Sequence, residues 1–184
     1  MKALSLRRTK RRWTEEGLSD QELSDLLWAA CGMTVAPTPR AKSKRTIPSG
    51  RNAQAVHLYV ALASGVYKYH EESHDLYLQV GEDLRSMIGN QKMMKSTPVG
   101  LIYVADFDKL KGYVGTDNER KWFVSGTETG FISQNVYLYC AAANLSTAII
   151  GLVNRERLHK AMQLKENEKI IYTQAVGKAV IKTN

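Results

Sequence analysis

The chain has 184 residues, 43% of them hydrophobic, which is enough to bury one sizeable core, so a single domain over residues 1–184 is expected. A formal net charge of +8 and a pI near 9.5 call for a phosphorylated or polyanionic partner. No apolar run approaches the roughly 20 residues of a bilayer span, which argues against a membrane partner.

The basic N-terminus lacks the apolar segment of a signal peptide, so the expected location is the cytoplasm, or outside it if a leader was removed. Ser19 and Glu22 have the spacing of a capping box, and Leu18 faces Leu23 as a hydrophobic staple. A helix is expected there, with Leu23, Leu26, Leu27 and Ala30 on its buried stripe and Gly32 as its stop. The two cysteines, Cys31 and Cys140, each sit beside alanines in apolar helical segments and read as core thiols rather than a disulfide. From Gly32 to about Gly50, three of the four prolines lie among basic residues, which predicts an extended loop. Loops of that length are usually functional, so its end at Pro48-Ser49-Gly50-Arg51-Asn52 is a place to look for a site.

Alternation from Val56 to Val80, broken at Ser64-Gly65, predicts a meander of strands. A short helix from Asp83 to Ile88 ending at Gly89-Asn90 and a strand from Val99 to Val104 follow. Thr116 and Glu119 have the spacing of a second capping box, opening a long helix to about Ala143. Gly126 and Gly130 on it suggest tight packing against another helix, including one across a dimer interface. A strand at Thr147–Ile150, a helix at Asn154–Met162 and a strand from Lys169 to about Val180 complete the order. This succession predicts an α+β fold, with a mostly antiparallel or mixed central sheet flanked by helices.

His70-Glu71-Glu72-Ser73-His74 spells HExxH, which serves a zinc protease only on a helix, where both histidines share a face. Between Tyr-rich strand segments, a polar hairpin turn is expected instead. Arg7-Arg8-Thr9-Lys10-Arg11-Arg12 can be a solvated arm, a nucleic-acid patch or a phosphate site. A hydroxyl among guanidinium forks suits the last.

In their order these segments resemble the FMN-dependent nitroreductase family over nearly the whole chain. The N-terminal Arg-x-Ser-x-Arg/Lys pattern is matched by Arg7 to Arg11 before Trp13, with Thr9 keeping the hydroxyl. The Pro-Ser-x-x-Asn-x-Gln segment is matched by Pro48 to Gln54, and Gly-Asn by Gly89-Asn90. The Gln-Asn-Leu helix is matched by Gln134-Asn135-Val136-Tyr137-Leu138, and the closing strand by Gln174-Ala175-Val176-Gly177. The first helix and the meander look closest to the branch that includes peptide azoline dehydrogenases. Ile150 and Lys178 depart from the family, standing where a glutamate and an aromatic residue are common.

The resemblance implies a homodimer with FMN at the subunit interface. Arg7, Arg8, Thr9 and Arg11 would bind the phosphate, ribityl chain and pyrimidine edge. Pro48, Ser49, Gly50 and Asn52 would come from the other subunit, and Asn90 would contact the isoalloxazine or ribityl region. Ile149, Ile150 and Gly151 would offer backbone groups near N5, and Lys178 with Lys182 would replace C-terminal basic phosphate ligands. It also implies NAD(P)H as a transient donor and a small electron-poor acceptor such as a nitro compound or quinone, with no nucleic acid or membrane involved. No catalytic side chain and no metal are expected, because the flavin carries the chemistry. A nucleic-acid-binding module and a flavin binder without turnover are the alternatives.

Overall fold

The computed structural model describes residues 1–180, apart from the side chains of Lys92 and Lys95; Lys182 lies outside the described residues. The chain runs α1 (Lys2–Leu6), α2 (Asp20–Cys31), β1 (Met33–Val35), β2 (Lys44–Arg45), β3 (Val56–Leu62), β4 (Gly65–His70) and β5 (Asp75–Val80). It continues with β6 (Val99–Asp106), α3 (Lys111–Val114), α4 (Asn118–Ala142), β7 (Leu145–Ile150), α5 (Arg155–Ala161) and β8 (Glu168–Lys178). Short 3-10 turns stand at Gly50–Asn52, Arg85–Met87 and Lys92–Ser96.

The α+β expectation holds. The main sheet has the order β5-β4-β3-β6-β8-β7 and every pairing in it is antiparallel. Central β3 is buried on both faces, and strand alternation divides it between two cores. Leu58 and Val60 join Leu101, Tyr103 and the buried sides of α2 and α4; Tyr59 and Ala61 join Ile102, Val104, Ile88 and Leu158 of α5. The molecule is therefore layered, with α2 and α4 on one side of the sheet and α5 with the 3-10 turns at Arg85–Met87 and Lys92–Ser96 on the other.

The first capping box is present: the Ser19 hydroxyl accepts from the Glu22 N–H and the Glu22 carboxylate accepts from the Ser19 N–H. Leu26, Leu27 and Ala30 are buried as expected, and Leu23 is half-buried. Gly32 ends α2 for a steric reason, since its φ of −63° is open to any residue but a Cβ there would lie 2.5 Å from the Trp28 ring. Cys31 and Cys140 are both buried free thiols.

The second capping box is corrected. Asp117, not Thr116, caps α4, its carboxylate accepting from the Arg120 N–H, so the helix starts one residue later than the Thr116–Glu119 spacing implies. The segment after Gly32 is also more ordered than a plain loop, because β1 and β2 pair as a small antiparallel ribbon. Among the described residues nothing outside the helix's own backbone lies within 4 Å of a Cβ at Gly126 or Gly130, so the tight helix packing expected there is not seen among them. The HExxH segment forms the end of β4 and a turn, as expected. There His74 meets Ser24 (2.7 Å) and Tyr69 (2.8 Å), while Glu71 pairs with Arg45 at 2.9 Å. Among the described residues no helix is long and apolar enough to cross a membrane.

Candidate functional site

The basic arm that follows α1 lies along the edge formed by β7 and β8. The Lys10 N–H donates to the Thr147 carbonyl (3.0 Å) and the Thr14 N–H to the Lys178 carbonyl (3.0 Å). Trp13 bridges to Ala179, and its indole N–H donates to the Ser96 carbonyl at 3.0 Å. The arm comes so close to β8 that a Cβ on Gly177 would sit 2.7 Å from the Trp13 side chain. That proximity explains the glycine without any unusual φ.

Tyr137 of α4 ties two of the sequence motifs together. Its hydroxyl accepts the Ile149 N–H (3.1 Å) and lies 3.2 Å from the Thr9 hydroxyl. Its ring lies 5.4 Å from the Arg7 guanidinium, a cation–π contact. A third motif joins through the 3-10 turn before β6. The Asn90 N–H donates to the Leu152 carbonyl (3.1 Å), and a Cβ on Gly89 would approach the Ile150 side chain to 2.8 Å. Arg155 fixes the far end of this region by donating to the carbonyls of Ile170 (3.1 Å), Ile171 (2.8 Å) and Gly151 (3.4 Å). Arg7, Thr9, Asn90 and Ile149 to Gly151 therefore share one continuous region.

Beside it opens a cavity of about 470 Å³, with Lys10, Arg11 and Arg12 on one wall and Ser146, Ala179 and Val180 on the other. Among the described residues Arg7, Arg11 and Arg12 make no ion pair. Guanidiniums without a carboxylate are ready ligands for phosphate oxygens. Arg8 is turned away, donating to the Ser5 and Arg7 carbonyls at 3.0 and 2.7 Å. Lys178 is already engaged: its ammonium bonds Glu16 and has Glu22 at 3.8 Å, and Glu16 raises its pKa.

Pro48 to Asn52 is not brought to this region within one chain. The Gly50 N–H donates to the Glu128 carboxylate at 2.8 Å, and a Cβ on Gly50 would strike the Tyr113 ring at 2.3 Å. Arg51, Asn52 and Gln54 all adopt left-handed backbone, with φ of 48°, 52° and 50°. Such strain persists only where the surroundings impose it, and it clusters at functional loops. The Ser49 hydroxyl accepts the Gln54 N–H (2.8 Å). The Asn52 amide donates to the Ser43 carbonyl (2.9 Å) and accepts from Gln54 (3.0 Å). One of its two N–H donors and one lone pair of its carbonyl are engaged inside the loop.

Glu128 and Tyr137 stand at opposite edges of the buried face of α4. Nine residues separate them, about two and a half turns and ~13 Å along the axis. The exposed side of the same helix carries Phe123 (76% exposed) and Phe131, with Trp122 also partly exposed. Sequence reasoning gave neither Glu128 nor Tyr137 a role. Tyr137 was visible only as part of the Gln134-Asn135-Val136-Tyr137-Leu138 segment, and a separation of about two and a half turns marks no shared face.

The sequence profile described as "Nitroreductase family" matches residues 4–178. A protein of Methanocaldococcus jannaschii named as a nitroreductase is 27% identical over 170 residues, covering 87% of this chain and 82% of its own. A crystal structure from Ralstonia eutropha JMP134, also named as a nitroreductase, is 32% identical with a TM-score of 0.87, over 98% of this chain and 83% of that one. The NADPH:FMN oxidoreductase of Vibrio harveyi, solved with NAD+, has a TM-score of 0.67 at 15% identity, over 99% of this chain and 71% of that one, and shares the fold.

Proposed function

The chain belongs to the nitroreductase family, and from that premise we propose that it is an oxidoreductase holding FMN between two copies of itself and passing electrons from NAD(P)H to a small electron-poor acceptor such as a nitro compound or quinone. The observation that carries this reading is the meeting of the Arg7–Thr9 arm and the Ile149 strand end at Tyr137, beside arginines that have no carboxylate partner among the described residues. That donor set fits a phosphorylated cofactor. Bound FMN would supply two-electron redox chemistry, and the protein would supply position and electrostatics.

On this reading Arg7, Thr9 and Arg11 hold the phosphate, ribityl chain and pyrimidine edge. Asn90 and the backbone of Ile149, Ile150 and Gly151 border the ring. Arg8 and Lys178 join only by leaving their present partners, the arm carbonyls and Glu16. The second copy contributes Pro48, Ser49, Gly50 and Asn52, with Asn52 acting by shaping the loop. The separation of Glu128 from Tyr137 along α4 supports a shared site, since the loop and the arm of one chain are held at different edges of that helix. The exposed Phe123 and Phe131 give such a pairing an apolar surface to cover. Arg11, exposed and without an ion-pair partner among the described residues, favours negative charge developing at the edge it faces over the neutral state, which is how a fixed cation aids electron transfer to that edge. The donor assignment is supported by the shared fold of the Vibrio harveyi enzyme, which is named for NADPH and FMN.

The test is the visible spectrum of the purified protein after incubation with FMN, with light scattering alongside. A retained flavin spectrum that bleaches on NAD(P)H, in a dimer, is expected. A colourless protein that instead binds nucleic acid with steep salt dependence overturns the reading. A spectrum that NAD(P)H leaves unchanged reduces the protein to a flavin binder.

A further inference from the structure

Tyr103 of β6, Gln174 of β8 and Thr147 of β7 are 0%, 0% and 1% exposed, yet they form one continuous hydrogen-bonded chain across three neighbouring strands. The Ala175 carbonyl can only accept, so the Thr147 hydroxyl donates to it (2.8 Å). The Thr147 oxygen in turn receives the Gln174 amide N–H (2.9 Å), and the Gln174 carbonyl receives the Tyr103 hydroxyl (2.6 Å). Burial raises the Tyr103 pKa, which keeps the phenol a donor. Among the described residues none of these side-chain polar atoms is buried without a partner. A buried polar chain that is fully satisfied specifies one arrangement, because any shift orphans a group that water cannot reach.

The contacts are diagonal. Gln174 stands opposite Leu101 and Ile149, but its side chain reaches Tyr103 and Thr147, each two positions along the neighbouring strand. Residues two apart share a face of a strand, and such neighbours lie within reach of a long side chain. β7 is an edge strand, paired within the sheet only to β8. Sliding it by two residues would leave every side chain on its own face, so alternation alone does not fix its register. The slide would, however, bring Leu145 or Ile149 against Gln174 in place of Thr147 and leave a buried amide N–H unpaired. The same strand carries contacts of the candidate site. The Lys10 N–H ends on the Thr147 carbonyl and the Ile149 N–H on the Tyr137 hydroxyl.

We propose that Tyr103, Gln174 and Thr147 are positioning residues for the candidate site. By pinning the register of β7 they set where the arm lies and where the Ile149–Gly151 backbone stands. On the proposed flavin reading, on which this step rests, they thereby set how phosphate and ring are held. All three are buried and act through the Thr147 carbonyl and the Ile149 N–H.

The test is native-state hydrogen exchange, resolved residue by residue, on the full-length protein without FMN. In Thr147→Val, which keeps the shape and removes the hydroxyl, the Lys10 and Ile149 amides are expected to exchange at least tenfold faster than in the parent. The Thr14 amide, bonded to Lys178 of β8 rather than to β7, should keep its parental rate. Thr147→Ser, which restores the hydroxyl, should restore parental protection at Lys10 and Ile149. FMN affinity, measured separately, should fall in Thr147→Val and recover in Thr147→Ser. A parent that binds no FMN counts against the flavin reading, and the exchange rates still decide whether the chain positions β7 and the arm. If Thr147→Val does not fold, Tyr103→Phe, at the other end of the chain, carries the same expectation. The proposal is overturned if Lys10 and Ile149 keep parental protection, or if Thr14 loses protection equally, which would mean a general loosening. It is also overturned if Thr147→Ser behaves like Thr147→Val, or if a parent that binds FMN and Thr147→Val bind it equally well.

Discussion

Gly50 and Glu128 lie 78 residues apart in sequence and meet through a 2.8 Å hydrogen bond from the glycine N–H to the carboxylate. Glu128 is only 3% exposed, and burial raises its pKa against the lowering effect of the bonds from Gly50 and Ser49. A raised folded-state pKa means that the protonated form favours folding. The contribution is fully present below the unfolded value near 4.5 and is lost as pH rises through the folded value. Glu128→Gln, which cannot ionise, is therefore expected to gain thermal stability relative to the parent as pH rises through that window. A stability difference that stays flat with pH would contradict this.

Glu128→Ala leaves the Gly50 N–H without its acceptor, at a cost of about 1–3 kcal/mol. The left-handed loop loosens, and trypsin should cleave after exposed Arg51 several-fold faster than in the parent or in Glu128→Gln. Equal cleavage rates in all three proteins would show that the carboxylate does not hold the loop.

Tyr137→Phe keeps the ring beneath Arg7 but removes the acceptor of the Ile149 N–H and the contact with Thr9. A loss of about 1–3 kcal/mol is expected from the orphaned donor, read as a lower urea midpoint. FMN retention should fall with it. A variant with parental stability and parental FMN affinity would remove Tyr137 from the site.

Arg7 and Arg11 should separate by readout. Arg7→Ala loses a guanidinium seated on Tyr137 and is expected to weaken FMN binding roughly tenfold, equivalent to ~1.4 kcal/mol. Arg11→Ala, saturated with FMN, should instead show a lower flavin reduction potential and slower reduction by NAD(P)H. An unchanged potential and rate in that variant would refute the electrostatic role given to Arg11.

Asn52 and Gln54 both donate to the Ser43 carbonyl, at 2.9 and 2.6 Å, and bond each other. Their alanine variants should therefore be non-additive in thermal unfolding, with a coupling above about 0.5 kcal/mol. Additivity within a few tenths would mean that the shared carbonyl is not what closes the loop.

The sequence carried the features that depend on neighbours a few residues apart. The Ser19–Glu22 capping box, the β3–β4–β5 meander and the buried stripe of α2 are all set by local spacing, and they stand where that spacing puts them. Thr116 illustrates the limit, because Asp117 beside it offers a carboxylate with the same reach and takes the cap. The ribbon of β1 and β2 escaped notice because two such short strands carry no readable alternation. The roles of Glu128 and Tyr137 were hidden for a different reason. Each is defined by a partner on a distant segment, Gly50 in one case and Thr9 with Ile149 in the other, and a helical pattern records that a position is buried without recording what it touches.

Because α4 anchors the loop at one edge and the arm at the other, each chain in the proposed dimer both lends and borrows. A protein with a disabled arm and another with a disabled loop would each be inactive as homodimers. Mixed, unfolded together and refolded, they should form hybrids in which one of the two sites draws an intact arm from one parent and an intact loop from the other. Such hybrids would regain flavin and turnover at that single site, so genetic complementation between two inactive alleles follows from where two side chains sit on one helix.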